Sequence, residues 1–175
     1  MSTLEERVQD TIRTIPDFPK KGIKYKDITP VLADYRLMTE ITNHFADAFS
    51  AAGIDVVVGA ESRGFIFGMP IALALKAKFV PVRKVGKLPY KTISESYDLE
   101  YGSATLEIHE DAIQKGEKVL IIDDLLATGG TLAATCKLVS RLDGDIVACG
   151  VLIRLAFLEG EKALGGIPCE AIINC

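Results

Sequence analysis

Val119-Leu-Ile-Ile-Asp-Asp-Leu-Leu-Ala-Thr-Gly-Gly-Thr131 takes an apolar strand into two carboxylates, a glycine turn and the start of a helix. Val119 to Ile122 form a short apolar run bounded by charge and glycine, which is a buried strand rather than a helix. A strand that enters a helix through a glycine-rich turn directs backbone N–H groups at one point, and a helix N-terminus favours an anion there. Ligands on open α/β sheets bind at the carboxyl ends of strands. Ala127, Thr128, Gly129, Gly130 and Thr131 therefore read as a phosphate cradle. Asp123 and Asp124 stand too close to that cradle to face the phosphate itself, so they suit neutral hydroxyls such as those of a ribose. A Walker A loop ends its glycine run with Lys in GxxxxGK[ST]; here Thr131 follows Gly130, and an ATP-hydrolysing loop loses its main cation.

Working outward, Asp55-Val-Val-Val-Gly-Ala, Phe79-Val-Pro-Val-Arg, Lys118 to Asp123 and Asp145 to Ile153 read as strands. Between and before them, Tyr35 to Ala52, Ser62 to Lys76 and Gly130 to Leu142 carry apolar residues at helical spacing, and Gly53 stops the first of these. Apolar strands alternating with helices predict an α/β fold, doubly wound, with a mostly parallel central sheet flanked by helices. Leu4, Val8 and Ile12 predict a helix from Leu4 to Ile15, ended by Pro16. From residue 84 to 116 the pattern becomes polar, with short alternation at Ala104-Thr-Leu-Glu-Ile, and predicts a hairpin-like excursion serving as a flexible lid. The region from Ile153 to Cys175 predicts a helix and an edge strand at Glu170-Ala-Ile-Ile-Asn. With no repeat or linker in view, residues 1–175 are expected to form one domain.

The chain has 175 residues, 49% of them hydrophobic, enough for a sizeable core. Its net charge of -4 argues against a general nucleic-acid partner. The four cysteines show no CxxC pair, and His44 and His109 lack metal-ligand spacing, so all six read as structural. A polar opening and the absence of an apolar run of about 20 residues predict a cytoplasmic protein with no membrane partner.

Four further strings extend the picture: Phe18-Pro-Lys-Lys-Gly-Ile-Lys-Tyr-Lys-Asp-Ile-Thr-Pro30, Gly59-Ala-Glu-Ser-Arg-Gly-Phe65, Val82-Arg-Lys-Val-Gly-Lys-Leu-Pro89 and Tyr97-Asp-Leu-Glu-Tyr-Gly102. Together with DDLLATGGT at 123–131 they resemble the type I phosphoribosyltransferases, in the wording of members that act on adenine. The likeness runs from about Asp17 to Ala134. It implies transfer of a phosphoribosyl group from 5-phosphoribosyl-1-pyrophosphate to adenine. Mg²⁺ would be carried by the donor with no direct protein ligand, and the active species would be a homodimer with a subunit contact near the pyrophosphate loops.

The resemblance also implies residue roles. Ala127 to Thr131 would hold the 5′-phosphate, and Asp123 and Asp124 the ribose hydroxyls. Arg63, following a cis Glu61–Ser62 peptide, would face the pyrophosphate with Arg83, Lys84 and Lys87, under a lid packed by Tyr101. Glu100 in that lid would move the purine's proton. An N-terminal hood over residues 1–34 would select the base, with the backbone at Lys24 and Lys26 reading its edge and Tyr25 and Leu125 sandwiching its ring. Tyr25 stands where Phe is more frequent, and its hydroxyl requires a partner. Val85 and Tyr90 stand where relatives sometimes have Arg and Gly. Two rivals remain at this point: an enzyme for xanthine, hypoxanthine or guanine, and a non-enzymatic regulator that binds the same donor, which the acidic charge and missing DNA-reading domain oppose.

Overall fold

A computed structural model describes residues 2–98 and 103–175. Strand β3 (Val56–Ala60) is buried at every position, and β7 (Lys118–Leu126) from Val119 to Asp124, as strands covered on both faces must be. They lie side by side in a seven-stranded sheet. The other members are β4 (Lys78–Lys84), β5 (Thr92–Asp98), β6 (Ser103–His109), β8 (Asp145–Arg154) and β9 (Cys169–Asn174), in the order β5-β6-β4-β3-β7-β8-β9. The pairs β3–β4, β3–β7, β7–β8 and β8–β9 are parallel, and β4–β6 and β5–β6 antiparallel.

Alternate residues of these strands divide the core in two. Val57, Leu120 and Ile122 pack with α3 (Tyr35–Phe49) and α4 (Arg63–Leu75), while Val56, Val58 and Ile121 pack with α5 (Gly130–Arg141) and the inner face of the β5–β6 hairpin. Helix α3 forms because Leu37, Ile41 and Phe45 repeat every fourth residue and all are buried. Asp34 starts it, accepting hydrogen bonds from the N–H groups of Arg36 (2.9 Å) and Leu37 (3.2 Å). Burying each such side chain stabilises the fold by roughly 1.5–3 kcal/mol.

The N-terminal helix is shorter than its apolar spacing predicts. Helix α1 (Leu4–Thr11) is closed at its start by a Thr3–Glu6 capping box and ends before Ile12, although Val8 and Ile12 are buried as the spacing requires. The β-branched pair Thr14-Ile15 prefers an extended backbone. Accordingly β1 (Arg13–Pro16) pairs antiparallel with β2 (Lys24–Asp27), and a short helix α2 (Thr29–Ala33) follows. An Arg7–Glu40 ion pair joins α1 to α3.

Two further boundaries differ. Strand β7 continues past Asp123 because β8 goes on pairing with it as far as Leu126 and Arg154. In the C-terminal region the expected helix is replaced by two 3-10 turns, Ala156–Leu158 and Gly160–Leu164, before the edge strand β9. Gly160, Gly165 and Gly166 leave too little helix-forming sequence for more. The β5–β6 hairpin is anchored to the sheet rather than separate from it, since β6 pairs with β4 at Glu107–Arg83 and Leu106–Lys84.

Candidate active site

From β3 the chain crosses through α4 to β4 on one side, and from β7 through α5 to β8 on the other. Between β3 and β7 the winding reverses, and such a switch point opens a crevice at the carboxyl ends of the strands. A cavity of about 370 Å³ lies there, lined by Glu61, Ser62, Arg63, Lys84, Tyr97 and every residue from Asp123 to Leu132.

The turn from β7 into α5 forms one wall. Gly129 occupies the helix N-cap position with φ 86°, a conformation that disfavours any side chain, and it has no side chain to offer the first-turn N–H groups. Those groups are the raw material of an anion site. The turn is supported from below by the C-terminal 3-10 turn: a Cβ added to Gly160 would lie 2.2 Å from the Ala127 carbonyl oxygen and 3.0 Å from the Gly129 nitrogen. On the hairpin side, the Tyr97 hydroxyl lies 3.1 Å from Thr131 Oγ1.

The floor carries the carboxylates. Asp123 and Asp124 are 8% and 6% exposed. The Asp124 N–H donates to Asp123 Oδ1 at 2.9 Å. Burial, and next the neighbouring Asp124, push the Asp123 carboxyl well above the usual carboxylate range. Asp124 Oδ2 instead pairs with Arg63 Nε at 2.6 Å. Burial is the largest single influence and acts to lower the Arg63 pKa, but the charge and hydrogen bond of Asp124, with Tyr25 and Asp123, together outweigh it and the net shift is upward. Arg63 reaches this place because α4 begins tightly against β7: a Cβ on Gly64 would come within 2.6 Å of the Ile122 carbonyl oxygen. The preceding Glu61–Ser62 peptide is cis.

The third wall is a knot of cations around Glu61. Its carboxylate accepts from Lys87 Nζ at 2.5 Å, from the Lys84 N–H at 2.9 Å and from Arg83 Nε at 3.3 Å. Burial alone would raise its pKa, yet these donors bring it down to about 2. Glu61 is consequently an anion throughout the neutral range, and it holds the donors that a phosphate would use.

Of the residues singled out in the sequence, Arg63, Lys84, Asp123, Asp124, Leu125 and Ala127 to Thr131 all line the cavity. Arg83 and Lys87 connect to it through Glu61. Lys24, Tyr25 and Lys26 lie on β2 and are not among the lining residues; the link is the Tyr25 hydroxyl, which accepts from Arg63 Nη1 at 2.9 Å. Glu100 and Tyr101 lie outside the described residues. Sequence reasoning assigned no role to Glu61, Tyr97 or Gly160. The first two sit inside quoted strings, and a lone acid among Arg63, Arg83, Lys84 and Lys87 was a signal for Glu61. Nothing in the sequence near Gly160 points to the cradle.

Among known proteins, the phosphoribosyl transferase domain matches residues 27–163. The adenine phosphoribosyltransferase of Yersinia pestis is 52% identical over 169 residues, covering 95% of this chain and 90% of its own length. Among solved structures, adenine phosphoribosyltransferase from Thermoanaerobacter pseudethanolicus superposes with a TM-score of 0.95 at 49% identity, covering 99% of this chain and 100% of that one. The Saccharomyces cerevisiae adenine phosphoribosyltransferase, complexed with D-2,5-dideoxy-2,5-imino-altritol 1,6-bisphosphate and adenine, gives 0.93 at 37% identity and covers 99% and 100% of the two chains. With a switch-point cavity built from the residues that carry the motif, and with likeness of this extent over nearly its whole length, the chain belongs to the phosphoribosyl transferase domain family, in its adenine phosphoribosyltransferase branch.

Proposed function

We propose that this protein transfers the 5-phosphoribosyl group of 5-phosphoribosyl-1-pyrophosphate to adenine, forming AMP and releasing pyrophosphate, a step of purine salvage. The observation that carries the reading is that one cavity presents, side by side, a helix N-terminus, a pair of buried carboxylates and a cation cluster. These match the three parts of the donor: phosphate, ribose hydroxyls and pyrophosphate. The names of the relatives support adenine as the base.

The chemistry follows from that order. Ala127 to Thr131 hold the 5′-phosphate, and Asp123 and Asp124 hold the ribose hydroxyls, so C1 is fixed over the sheet edge. A purine nitrogen lone pair forms the new bond to C1 while the C1–O bond to pyrophosphate breaks and its electron pair leaves with the pyrophosphate. Arg63, Arg83, Lys84 and Lys87 stabilise the charge that develops there. Glu100 takes the proton that the purine nitrogen loses. Within residues 84–116, the stretch around Glu100 and Tyr101 acts as the lid, with Tyr101 packing it down to keep water from C1, while β6 stays in the sheet. Tyr25 and Leu125 sandwich the base, and the backbone at Lys24 and Lys26 reads its edge. Mg²⁺ fits an ion borne by the donor's own oxygens, because burial disfavours the charged form of Asp123 and Asp124 is engaged by Arg63. When bound it neutralises part of the pyrophosphate charge.

The active species in this reading is a homodimer joined through α4, where Ile66, Met69 and Leu73 form an exposed apolar stripe. Four free cysteines, with Cys136 and Cys149 sulfurs 3.8 Å apart and unbridged, suit the reducing cytoplasm. Among the described residues no helix is long and apolar enough to cross a membrane.

Nucleotide formation from the donor, Mg²⁺ and each of adenine, hypoxanthine, guanine and xanthine tests the proposal. Product with adenine alone is the expected outcome. Preference for an oxopurine would overturn the base assignment at Lys24, Tyr25 and Lys26. Donor binding with no product from any base would make the chain a regulator instead.

A further inference from the structure

Glu107 lies on β6, and its carboxylate is only 4% exposed. One of its oxygens, Oε1, accepts from three successive backbone N–H groups: Gly86 at 3.0 Å, Lys87 at 3.2 Å and Leu88 at 3.1 Å. The other accepts from the Thr92 hydroxyl at 3.3 Å. Gly86 has φ 83°, so the chain here curls into a concave run of N–H groups of the kind that captures anions, and the anion is built into the protein. A buried acid in a strand is disfavoured unless its hydrogen bonds are made. Its place in the register explains the arrangement. Glu107 pairs with Arg83 on β4, at the strand end from which the loop departs.

The loop after β4 is thus gripped by two carboxylates in different ways. Glu107 takes the backbone N–H groups of residues 86–88 and a hydroxyl, whereas Glu61 takes the side chains of Arg83 and Lys87 together with the N–H of Lys84 at the strand end. The consequence is a division of labour. With its backbone wound on Glu107, the loop turns Lys87 back toward the cavity wall, where its ammonium meets Glu61. A phosphate oxygen entering the cavity can replace Glu61 as the partner of these cations, while Glu107 stays in place.

We propose that Glu107 is the positioning residue of the pyrophosphate site: by holding residues 86–88 it sets the approach of Lys87 and Arg83, and so the affinity for the pyrophosphate end of the donor, without touching the ligand. This rests on the reading of the loop as the pyrophosphate clamp. Affinity for a ligand that carries only the ribose 5-phosphate part is independent of Glu107, since the cradle at Ala127 to Thr131 lies on another element.

The test is calorimetric titration of the full chain with inorganic pyrophosphate plus Mg²⁺, and separately with ribose 5-phosphate. Wild type, Glu107→Ala, Glu107→Gln and Lys87→Ala are compared. Glu107→Ala is expected to weaken pyrophosphate binding by about tenfold or more and to leave ribose 5-phosphate within about twofold. Glu107→Gln keeps the shape and an acceptor oxygen but loses the charge, and its amide can donate to Thr92, so it is expected to rescue pyrophosphate binding from the alanine level to about two- to threefold weaker than wild type. Wild-type pyrophosphate affinity in the alanine variant, equal loss of both ligands, or no rescue by glutamine would each overturn the proposal. If the alanine variant does not fold, the glutamine variant decides alone. A small loss confined to pyrophosphate supports the proposal, and loss of both ligands or of neither rejects it. Unchanged pyrophosphate binding in Lys87→Ala would instead reject the clamp reading itself.

Discussion

Asp123 and Asp124 are adjacent in the chain and differ in their surroundings. Arg63 pairs directly with Asp124, while Asp123 is buried with its neighbour's N–H and the more weakly acting Arg63 charge to favour the charged form, which burial and Asp124 override. Its carboxyl therefore titrates above the usual range. Below the unfolded-state value of about 4 both states hold the proton and nothing is lost. As the pH rises past it, the unfolded chain ionises freely and the folded chain resists, so stability falls until the folded value is passed. Asn has the shape of the protonated acid and avoids that loss. Asp123→Asn is expected to raise stability at pH 7.5 by on the order of 1 kcal/mol, about 2–4 °C in Tm, with the gain shrinking toward pH 4. Equal melting of the two proteins at pH 7.5 would show that Asp123 is ionised at no penalty. At this scale the sequence was most legible where a strand ended: the carboxylates, the glycines and the threonines stand together in one string. It was least legible where partners come from afar. The Tyr25 hydroxyl meets Arg63 across 38 residues, and Glu107 reads as a solvent-facing position in an alternating strand until the loop folds over it.

Elements are placed as firmly by what touches them from behind as by their own propensity. The phosphate turn is continuous in sequence, yet its underside rests on the 3-10 turn Gly160–Leu164. Adding one methyl at Gly160 puts a carbon 2.2 Å from the Ala127 carbonyl oxygen, so backbone must move. Gly160→Ala is expected to destabilise the fold by about 1–3 kcal/mol. Its affinity for ribose 5-phosphate should fall while pyrophosphate affinity holds, the reverse of the pattern at Glu107. Unchanged ribose 5-phosphate binding in that variant would mean that the turn keeps its shape without this support. The strands β3, β4, β7, β8 and β9 and the helices α3, α4 and α5 were readable from their apolar patterns because each buries its own residues. The end of α1 and the C-terminal turns were not, because β pairing with residues 24–27 and closely spaced glycines overrode a helical spacing that was itself correct.

On the scale of the whole molecule, one face of α4 remains open. Leu73 is 72% exposed, and Ile66 and Met69 share its stripe. Sedimentation or light scattering is expected to find a dimer, and Met69→Lys to shift it to monomer at micromolar concentration, because a charge in the middle of an apolar contact is left without water or partner. A dimer that survives the substitution would place the contact elsewhere, and a monomeric wild type would remove it. The sheet order raises a different point. Helices α4 and α5 leave neighbouring strands toward opposite faces, so the crevice between them comes from the wiring of the chain and not from a gap in its packing. Most proteins that need an empty space among tightly fitted side chains must surrender contacts to obtain it. Here the two cores lie on opposite faces of the sheet beneath the crevice, and exposed residues at its lip can change in composition without loosening either one. Such a scaffold can exchange one small molecule for another while its interior stays the same.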